Sequence, residues 1–222
     1  MVATIPAEPV AGQDFIVFVQ TNFGQCPVVP GGRANVAGGE IVVSFDTSRC
    51  GSVSIGLPPA DSPRGALVNV AAPGNYAVMH AGSRIGTLAV KAGPATPVVR
   101  SAPLLNGLWN VPSAPGWGIR ITEGATGQLF VVWYASGNAP GRWFVSSGGS
   151  WTGPNEYSAV FYDPSGPTLS AFNTFDWSRA FLEPVGVLTI NVADADRITM
   201  KVAGRLGFAG FEYGWALQRL RF

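Results

Sequence analysis

The residues best suited to chemistry in this sequence are aromatic. Seven tryptophans are present, and all of them lie at or after Trp109. Indole rings stack on sugar faces or enclose apolar ligands, and a guanidinium donates hydrogen bonds to a hydroxyl or carboxylate. Arg142 flanks these rings, and the candidate ligand-binding residues are Trp109, Trp117, Arg120, Trp133, Trp143 and Trp215. The alternative is that the rings form a core and the arginines are solvated at strand ends.

Groups suited to catalysis are few. His80 is the single histidine, and HExxH, CxxC and GxSxG motifs do not occur, which argues against a zinc site or a serine hydrolase. We expect His80 at a strand end, facing solvent. Asp194 and Asp196 form an Asp-x-Asp pair that is more typical of a turn than of a calcium site.

A carboxylate pair of the glycosidase type stays open, because the sequence cannot place any two acids together. The acids are Glu123, Glu156, Asp163, Asp176, Glu183 and Glu212. We therefore predict a non-enzymatic protein with no metal and no cofactor, and keep a carboxylate-dependent hydrolase as an alternative.

The charge and hydropathy of the sequence argue against two classes of partner, nucleic acids and a membrane that is crossed by a helix. The net charge is +1 and Lys and Arg are scattered singly, so nucleic acid is not an expected partner. No apolar stretch reaches about 18 residues, so no membrane-spanning helix is predicted. The 29 glycines and 18 prolines, together with abundant Val, Phe and Trp, indicate short strands separated by many turns.

Two cysteines, Cys26 and Cys50, lie in a β-rich segment. A disulfide between them would close a loop of about 25 residues and contribute about 3 kcal/mol. Two free buried thiols are the alternative. A disulfide favours a secreted or periplasmic location, and Met1 is then interpreted as an added start on a mature exported chain.

Residues 1–95 are predicted to form an immunoglobulin-like β-sandwich. Turn residues separate short apolar runs, and Tyr76 follows a tight turn as in a tyrosine corner. The predicted strands are Phe15–Gln20, Glu40–Phe45, Ser52–Ile55, Ala66–Val70, Tyr76–Met79 and Ile85–Val90.

A proline-bearing linker over residues 91–103 precedes a second domain, 104–222. Short connections between its eight predicted strands favour antiparallel neighbours closing into an up-and-down barrel of avidin- or lipocalin-like architecture. The predicted strands are Leu108–Val111, Gly116–Thr122, Leu129–Tyr134, Arg142–Ser146, Tyr157–Tyr162, Val185–Val192, Arg197–Val202 and Phe211–Leu217.

Two local sequence patterns in this domain predict how particular side chains pack. Leu129–Tyr134 (LFVVWY) is apolar on both faces, so its outer face is expected to pack on the first domain, the long link or another subunit. Gly116, Trp117 and Gly118 are interpreted mainly as a packing device, in which a ring covers bare backbone, with a ligand wall as the alternative.

The second domain resembles an uncharacterised module of exported bacterial proteins. The resemblance covers about residues 106–221 and rests on a set of short motifs: Gly107-Leu108-Trp109, Pro112, Gly116-Trp117-Gly118-Ile119, Val132-Trp133-Tyr134, Arg142-Trp143-Phe144 and Tyr157-Ser158-Ala159-Val160-Phe161-Tyr162. It implies export and a barrel-like module, and it carries no activity to this chain.

The sequence thus predicts an exported, non-enzymatic protein whose barrel binds a small apolar ligand, a glycan or a protein partner. A periplasmic protease inhibitor is the first alternative and the carboxylate-dependent hydrolase the second. The barrel face is also a candidate surface for association into a homo-oligomer. The sequence identifies neither the ligand, nor the oligomeric state, nor whether the barrel interior is open or filled.

Overall fold

The structure, a computed structural model, describes residues 2–20, 32–46, 63–93, 98–135, 142–165, 173–174, 181–206 and 209–221. These residues form sixteen β-strands and no α-helix. None of them belongs to a helix with the length and hydropathy that membrane crossing requires. The all-β class predicted from the turn-rich composition is therefore confirmed.

The chain divides into two compact units. The first contains residues 1–93 together with segments 165–184 and 205–210 from the second half of the chain. The second contains residues 94–164, 185–204 and 211–222.

The first unit is built on one seven-stranded sheet with the order β1-β2-β5-β3-β4-β6-β7. Pairs β3–β5 and β4–β6 are parallel and the other pairs are antiparallel. A Cβ built on Gly86 of β7 would lie 3.0 Å from Cγ2 of Val2 in β1, so the two edges of the sheet approach each other. The strands are β1 (Val2–Ile5), β2 (Asp14–Gln20), β3 (Gly32–Ala37), β4 (Glu40–Ser44), β5 (Pro63–Asn69), β6 (Gly74–His80) and β7 (Ser83–Val90).

The core of this unit lies on the inner face of the curled sheet, where Phe15, Val17 and Val19 of β2 are buried. The Tyr76 hydroxyl donates to the carbonyl of Ala72 at 2.7 Å, which is the contact expected of a tyrosine corner. The immunoglobulin-like topology as a whole stays a prediction.

The second unit contains a closed antiparallel barrel of eight strands, β8 to β11 and β13 to β16, which pair in sequence order. Pairing of Gln218 with Asn110 joins the last strand to the first. Pairing of Val145 with Tyr162 joins β11 to β13, while β12 lies beside the other end of β13. The strands are β8 (Gly107–Asn110), β9 (Gly118–Glu123), β10 (Leu129–Ala135), β11 (Arg142–Ser147), β12 (Ser150–Gly153), β13 (Glu156–Ser165), β14 (Phe181–Val192), β15 (Arg197–Leu206) and β16 (Ala209–Arg219).

Side chains from all eight barrel strands form one apolar cluster inside it. Its largest fully buried members include Trp109, Tyr157 and Phe161. The predicted up-and-down barrel is therefore confirmed.

Several details differ from the sequence predictions. Strands β1, β3 and β12 carry few large apolar residues and were not predicted. Strands β14 and β16 are longer than their apolar cores suggest. The predicted strand Ser52–Ile55 lies outside the described residues.

Candidate functional site

The six candidate residues separate into three environments. Trp109 and Trp133 belong to the barrel interior, with exposures of 1% and 6%. Trp117 and Trp215 are partly buried and pack against the same core. Arg120 and Trp143 lie on strands β9 and β11 and are exposed. The predicted set therefore does not form one site.

Trp109 is held by contacts within the protein. Its Nε1 donates to the carbonyl of Leu105 at 3.0 Å. The Arg219 guanidinium lies over its ring, 4.6 Å from the centroid. Trp109 therefore stabilises the junction of β8 with β16 and has almost no surface to offer to a ligand.

Trp133 is the centre of a cluster of rings at one end of the barrel. Its centroid lies 5.0 Å from Trp215, 5.4 Å from Phe144, 5.6 Å from Trp117 and 5.7 Å from Phe161. Edge and offset contacts at these distances stabilise a core beyond the area they bury. This cluster supports the core interpretation for Trp133.

Trp117 reaches that cluster because two turns follow β8. The amide of Ala114 donates to Val111 at 3.0 Å, and the amide of Trp117 donates to Ala114 at 3.1 Å. Each turn has proline at its second position, and Gly116 adopts φ +84° as a type II turn requires. A Cβ on Gly118 would lie 2.5 Å from the Trp109 carbonyl oxygen, so only glycine fits there. These contacts favour the packing interpretation of this motif.

A second row of rings follows the inner face of β16 toward the same end. Phe211, Tyr213 and Trp215 stack at centroid distances of 5.5 and 5.6 Å. Tyr213 is 51% exposed. The faces of these rings are largely in contact with one another, which leaves less ring surface for a ligand to contact.

The outer face of β10 carries a different set of rings. Leu129, Val131 and Trp133 point inward, so Phe130, Val132 and Tyr134 point outward. Phe130 is 44% and Tyr134 is 51% exposed, and the covering expected for this face stays a prediction.

Tyr134 is directly opposite Trp143 of β11 in the ladder. Cross-strand partners of this kind have Cβ atoms about 4.5–5.5 Å apart on the same face. Trp143 is 52% exposed. Arg120 of β9 is opposite Val132, one step along the same face from Tyr134. We call Phe130, Tyr134, Trp143 and Arg120 the outer aromatic platform.

Polar groups of the platform have no protein partner among the described residues. They are the Arg120 guanidinium, the Tyr134 hydroxyl and the Trp143 Nε1. In contrast, the indole of Trp151 donates to Gly127 at 3.0 Å. The platform thus presents ring faces together with donors that a ligand can use.

Most of the candidate acids have structural partners in the described chain. Glu123 is buried and accepts from Arg100 and from the Leu105 amide at 2.9 Å, which fastens residues 100–105 to the barrel. Glu156 accepts from Thr152 at 2.7 Å.

Of the remaining acids, Glu183 forms an ion pair with Arg64 at 3.0 Å, and Asp163 also has an interaction partner. Glu212 is exposed, and Asp176 lies outside the described residues. The hydrolase alternative therefore gains no support from the acids described.

The Asp-x-Asp pair is part of a turn stabilised by arginines. Arg197 donates to Asp194 at 2.7 Å and holds the pKa of that carboxyl below its usual value. Arg221 donates to both oxygens of Asp196. Cations already occupy these carboxylates, so the turn interpretation is favoured over a calcium site.

His80 ends β6 as expected, but it is half-buried rather than directed to solvent. Its Nδ1 lies 3.0 Å from the Val43 carbonyl oxygen, and its ring packs edge-on against Phe45 at 5.5 Å. Among the described residues no three His, Cys, Asp or Glu side chains are grouped as a metal site requires. Cys26 and Cys50 lie outside the described residues, so their disulfide stays a prediction.

Comparison of the chain with protein families, with curated proteins and with solved structures finds no match.

Proposed function

We propose that this chain is a non-catalytic binding protein that recognises a glycan through the outer aromatic platform. The observation that carries the proposal is the exposed pair formed by Tyr134 and Trp143, each about half accessible and directly opposite in the ladder. Large exposed rings on a strand are costly to leave in water, and a binding surface is a common reason to keep them.

A sugar suits this surface better than a purely apolar ligand does. Apolar ligands prefer concave pockets that enclose most of their surface, whereas this platform lies on the convex side of a barrel. A sugar ring offers one apolar face for stacking and hydroxyls around its edge. Arg120, Tyr134 and Trp143 supply donors around the two rings, and Arg120 favours glycans that carry a carboxylate.

We propose a non-catalytic protein because the acidic side chains considered for a hydrolase already bind neighbouring protein groups. Glu123, Glu156 and Glu183 are each engaged by a neighbouring side chain. Export to the periplasm or beyond remains part of the proposal, because extracellular glycans are then accessible. Its support is the predicted Cys26–Cys50 disulfide.

The test is a titration of the protein with cellotetraose, chitotetraose and a tetramer of galacturonic acid, followed by isothermal calorimetry. We expect binding of at least one glycan, and Trp143→Ala should weaken it by about tenfold or more, because a stacking face is removed. Arg120→Ala should weaken binding of the galacturonate tetramer more than binding of the two neutral glycans.

Tyr213→Ala is the matched control, because Tyr213 is equally exposed but lies on β16 among the ring stack. It should bind as the wild type does. No heat of binding with any of the three glycans would contradict the proposal. So would a loss caused by Tyr213→Ala and not by Trp143→Ala.

A further inference from the structure

Strand β16 has two neighbours in the barrel, β15 and β8, and it extends far beyond the end of the short strand β8. Strand β8 pairs with it only at Gln218 and Arg219, and the Leu220 amide donates to the Leu108 carbonyl at 2.8 Å. Amide and carbonyl groups on one side of a strand belong to every second residue. Those of Ala216, Gly214 and Glu212 therefore point to the same side as those of Leu220, and β8 has ended before it reaches them.

Proline ends β8 at this position. If β8 continued in register, residue 112 would be opposite Ala216, and proline has no amide to donate. Pro112 instead occupies the second position of the turn that Ala114 closes on Val111. No backbone partner for Glu212, Gly214 or Ala216 on this side occurs in the described part of the chain.

A groove of about 590 Å³ adjoins the free edge at Gly214 and Ala216. The turn after β8 lines one side of the groove through Pro112 and Ser113, and β15 lines the other side through Arg197 and Thr199. A strand of five residues spans about 17 Å, which matches the free edge from Glu212 to Ala216.

We propose that the free edge of β16 binds one extended polypeptide segment by β-strand addition, antiparallel to β16. The unpaired amides and carbonyls supply the main-chain hydrogen bonds. A single strand is the occupant that fits a groove with a wall beside the edge, because a second barrel would bring its own wall into the same space.

The charges around the groove define the segment's side chains. Lys201 lies beside Gly214, since a Cβ on Gly214 would be 3.6 Å from the Lys201 Cγ. Neither Lys201 nor Glu212 has an ion-pair partner among the residues described. An acidic residue opposite Gly214 would meet Lys201, and a basic residue opposite Glu212 would complete the second pair.

The alternate residues of the segment would face the rings on the inner side of β16. Trp215 is partly buried and Tyr213 is half exposed on that side. Apolar β-branched residues suit these positions. The predicted segment, written from the residue opposite Ala216 to the residue opposite Glu212, is Thr-Val-Glu-Val-Lys.

The test uses acetyl-Thr-Val-Glu-Val-Lys-amide and NMR titration of the full chain, which measures weak binding residue by residue. We expect the amide resonances of Glu212, Gly214 and Ala216 to shift on saturation. Methylation of the peptide's Glu nitrogen removes a donor aimed at β16 and should weaken binding by about tenfold or more. Methylation of either Val nitrogen, which points away, is the matched control and should change binding less than about threefold.

Two further peptides and variants complete the test. The charge-exchanged peptide acetyl-Thr-Val-Lys-Val-Glu-amide should bind about two- to fivefold more weakly. Ala216→Pro removes one edge donor and should weaken binding by about tenfold or more, whereas Ala216→Ser keeps the donor and should bind as the wild type does. If Ala216→Pro does not fold, the methylated peptides carry the test on the wild-type chain.

Equal effects of methylation at Glu and Val would overturn strand addition. No shift at residues 212–216, even at millimolar peptide, would also overturn it. A third contrary result is a concentration-dependent shift of these amides without peptide, which would mean that a second copy covers the edge.

Discussion

Tyr157 joins three parts of the barrel wall, and its hydroxyl gives a direct test of how the wall is held. The hydroxyl accepts a hydrogen bond from the Leu129 amide at 3.0 Å and donates to the Gly148 carbonyl. Leu129 belongs to β10, Gly148 to the turn after β11, and Tyr157 to β13. The substitution Tyr157→Phe removes the hydroxyl and keeps the ring.

The expected cost follows from the burial of the two partners. Leu129 is 1% exposed, so its amide would lose its partner in a place that water cannot reach. An unsatisfied buried amide costs about 1–3 kcal/mol. Gly148 is half-buried and regains part of its bonding from water. The free energy of unfolding of the barrel should therefore fall by about 2 kcal/mol.

Urea denaturation followed by tryptophan fluorescence measures this change. Six of the seven tryptophans lie in the unit that contains the barrel, so the signal reports on that unit. With a slope of about 2 kcal/mol per molar urea, the midpoint should fall by about 1 M. Tyr134→Phe is the matched control, because the Tyr134 hydroxyl has no partner among the described residues, and its midpoint should not move.

The same hydroxyl predicts a pH dependence. Burial raises the pKa of Tyr157 above its usual value, partly offset by the Leu129 amide. Ionisation is therefore less favourable in the folded state. The stabilisation is fully present below about pH 10, where the unfolded tyrosine titrates, and is lost as pH rises through the folded pKa. The advantage of the wild type over Tyr157→Phe should shrink in that range. Equal midpoints for the wild type and Tyr157→Phe at pH 7 would refute the reasoning.

Three other substitutions probe the barrel in the same assay. Gly118→Ala should lower the free energy of unfolding by about 2 kcal/mol, because the added Cβ would lie 2.5 Å from the Trp109 carbonyl oxygen. Gly124→Ala is the control and should be neutral, because the atom nearest to its added Cβ is 3.6 Å away. Similar losses of stability for the two variants would contradict this. Ser146→Ala should leave stability unchanged or raise it, because the buried hydroxyl has no partner among the described residues, and a loss above about 1 kcal/mol would contradict this. Glu123→Ala should cost about 3 kcal/mol by leaving the largely buried Arg100 guanidinium without its carboxylate partner, and a urea midpoint within error of the wild type would contradict this.

The barrel was predictable because its strands are short, apolar and joined by recognisable turns. Alternation places Arg120 outside, since Ile119 and Ile121 on either side of it are buried. For the first unit the pattern is weaker. Strand β3 (GRANVA) has half-buried and exposed positions and no large apolar residue, so periodicity carries little signal there.

Which tryptophans are buried and which are exposed was harder to predict from the sequence. Leu129–Tyr134 is apolar on both faces, so alternation alone cannot say whether Trp133 or Tyr134 points inward. The burial of Trp109 depends on Leu105 and Arg219, which are distant from each other in the sequence. One signal was available for the groove: Pro112 directly after a short strand indicates that the strand ends there.

Fluorine NMR of the protein labelled with 5-fluorotryptophan tests most directly whether a ligand binds on the outer face of the barrel or inside it. Each tryptophan gives its own resonance, which single substitutions assign. On saturation with the glycan that binds most tightly in calorimetry, we expect the Trp143 resonance to shift and the Trp109 and Trp133 resonances to stay unchanged. A shift of Trp109 or Trp133 with Trp143 unmoved would place the ligand inside the barrel and contradict the account.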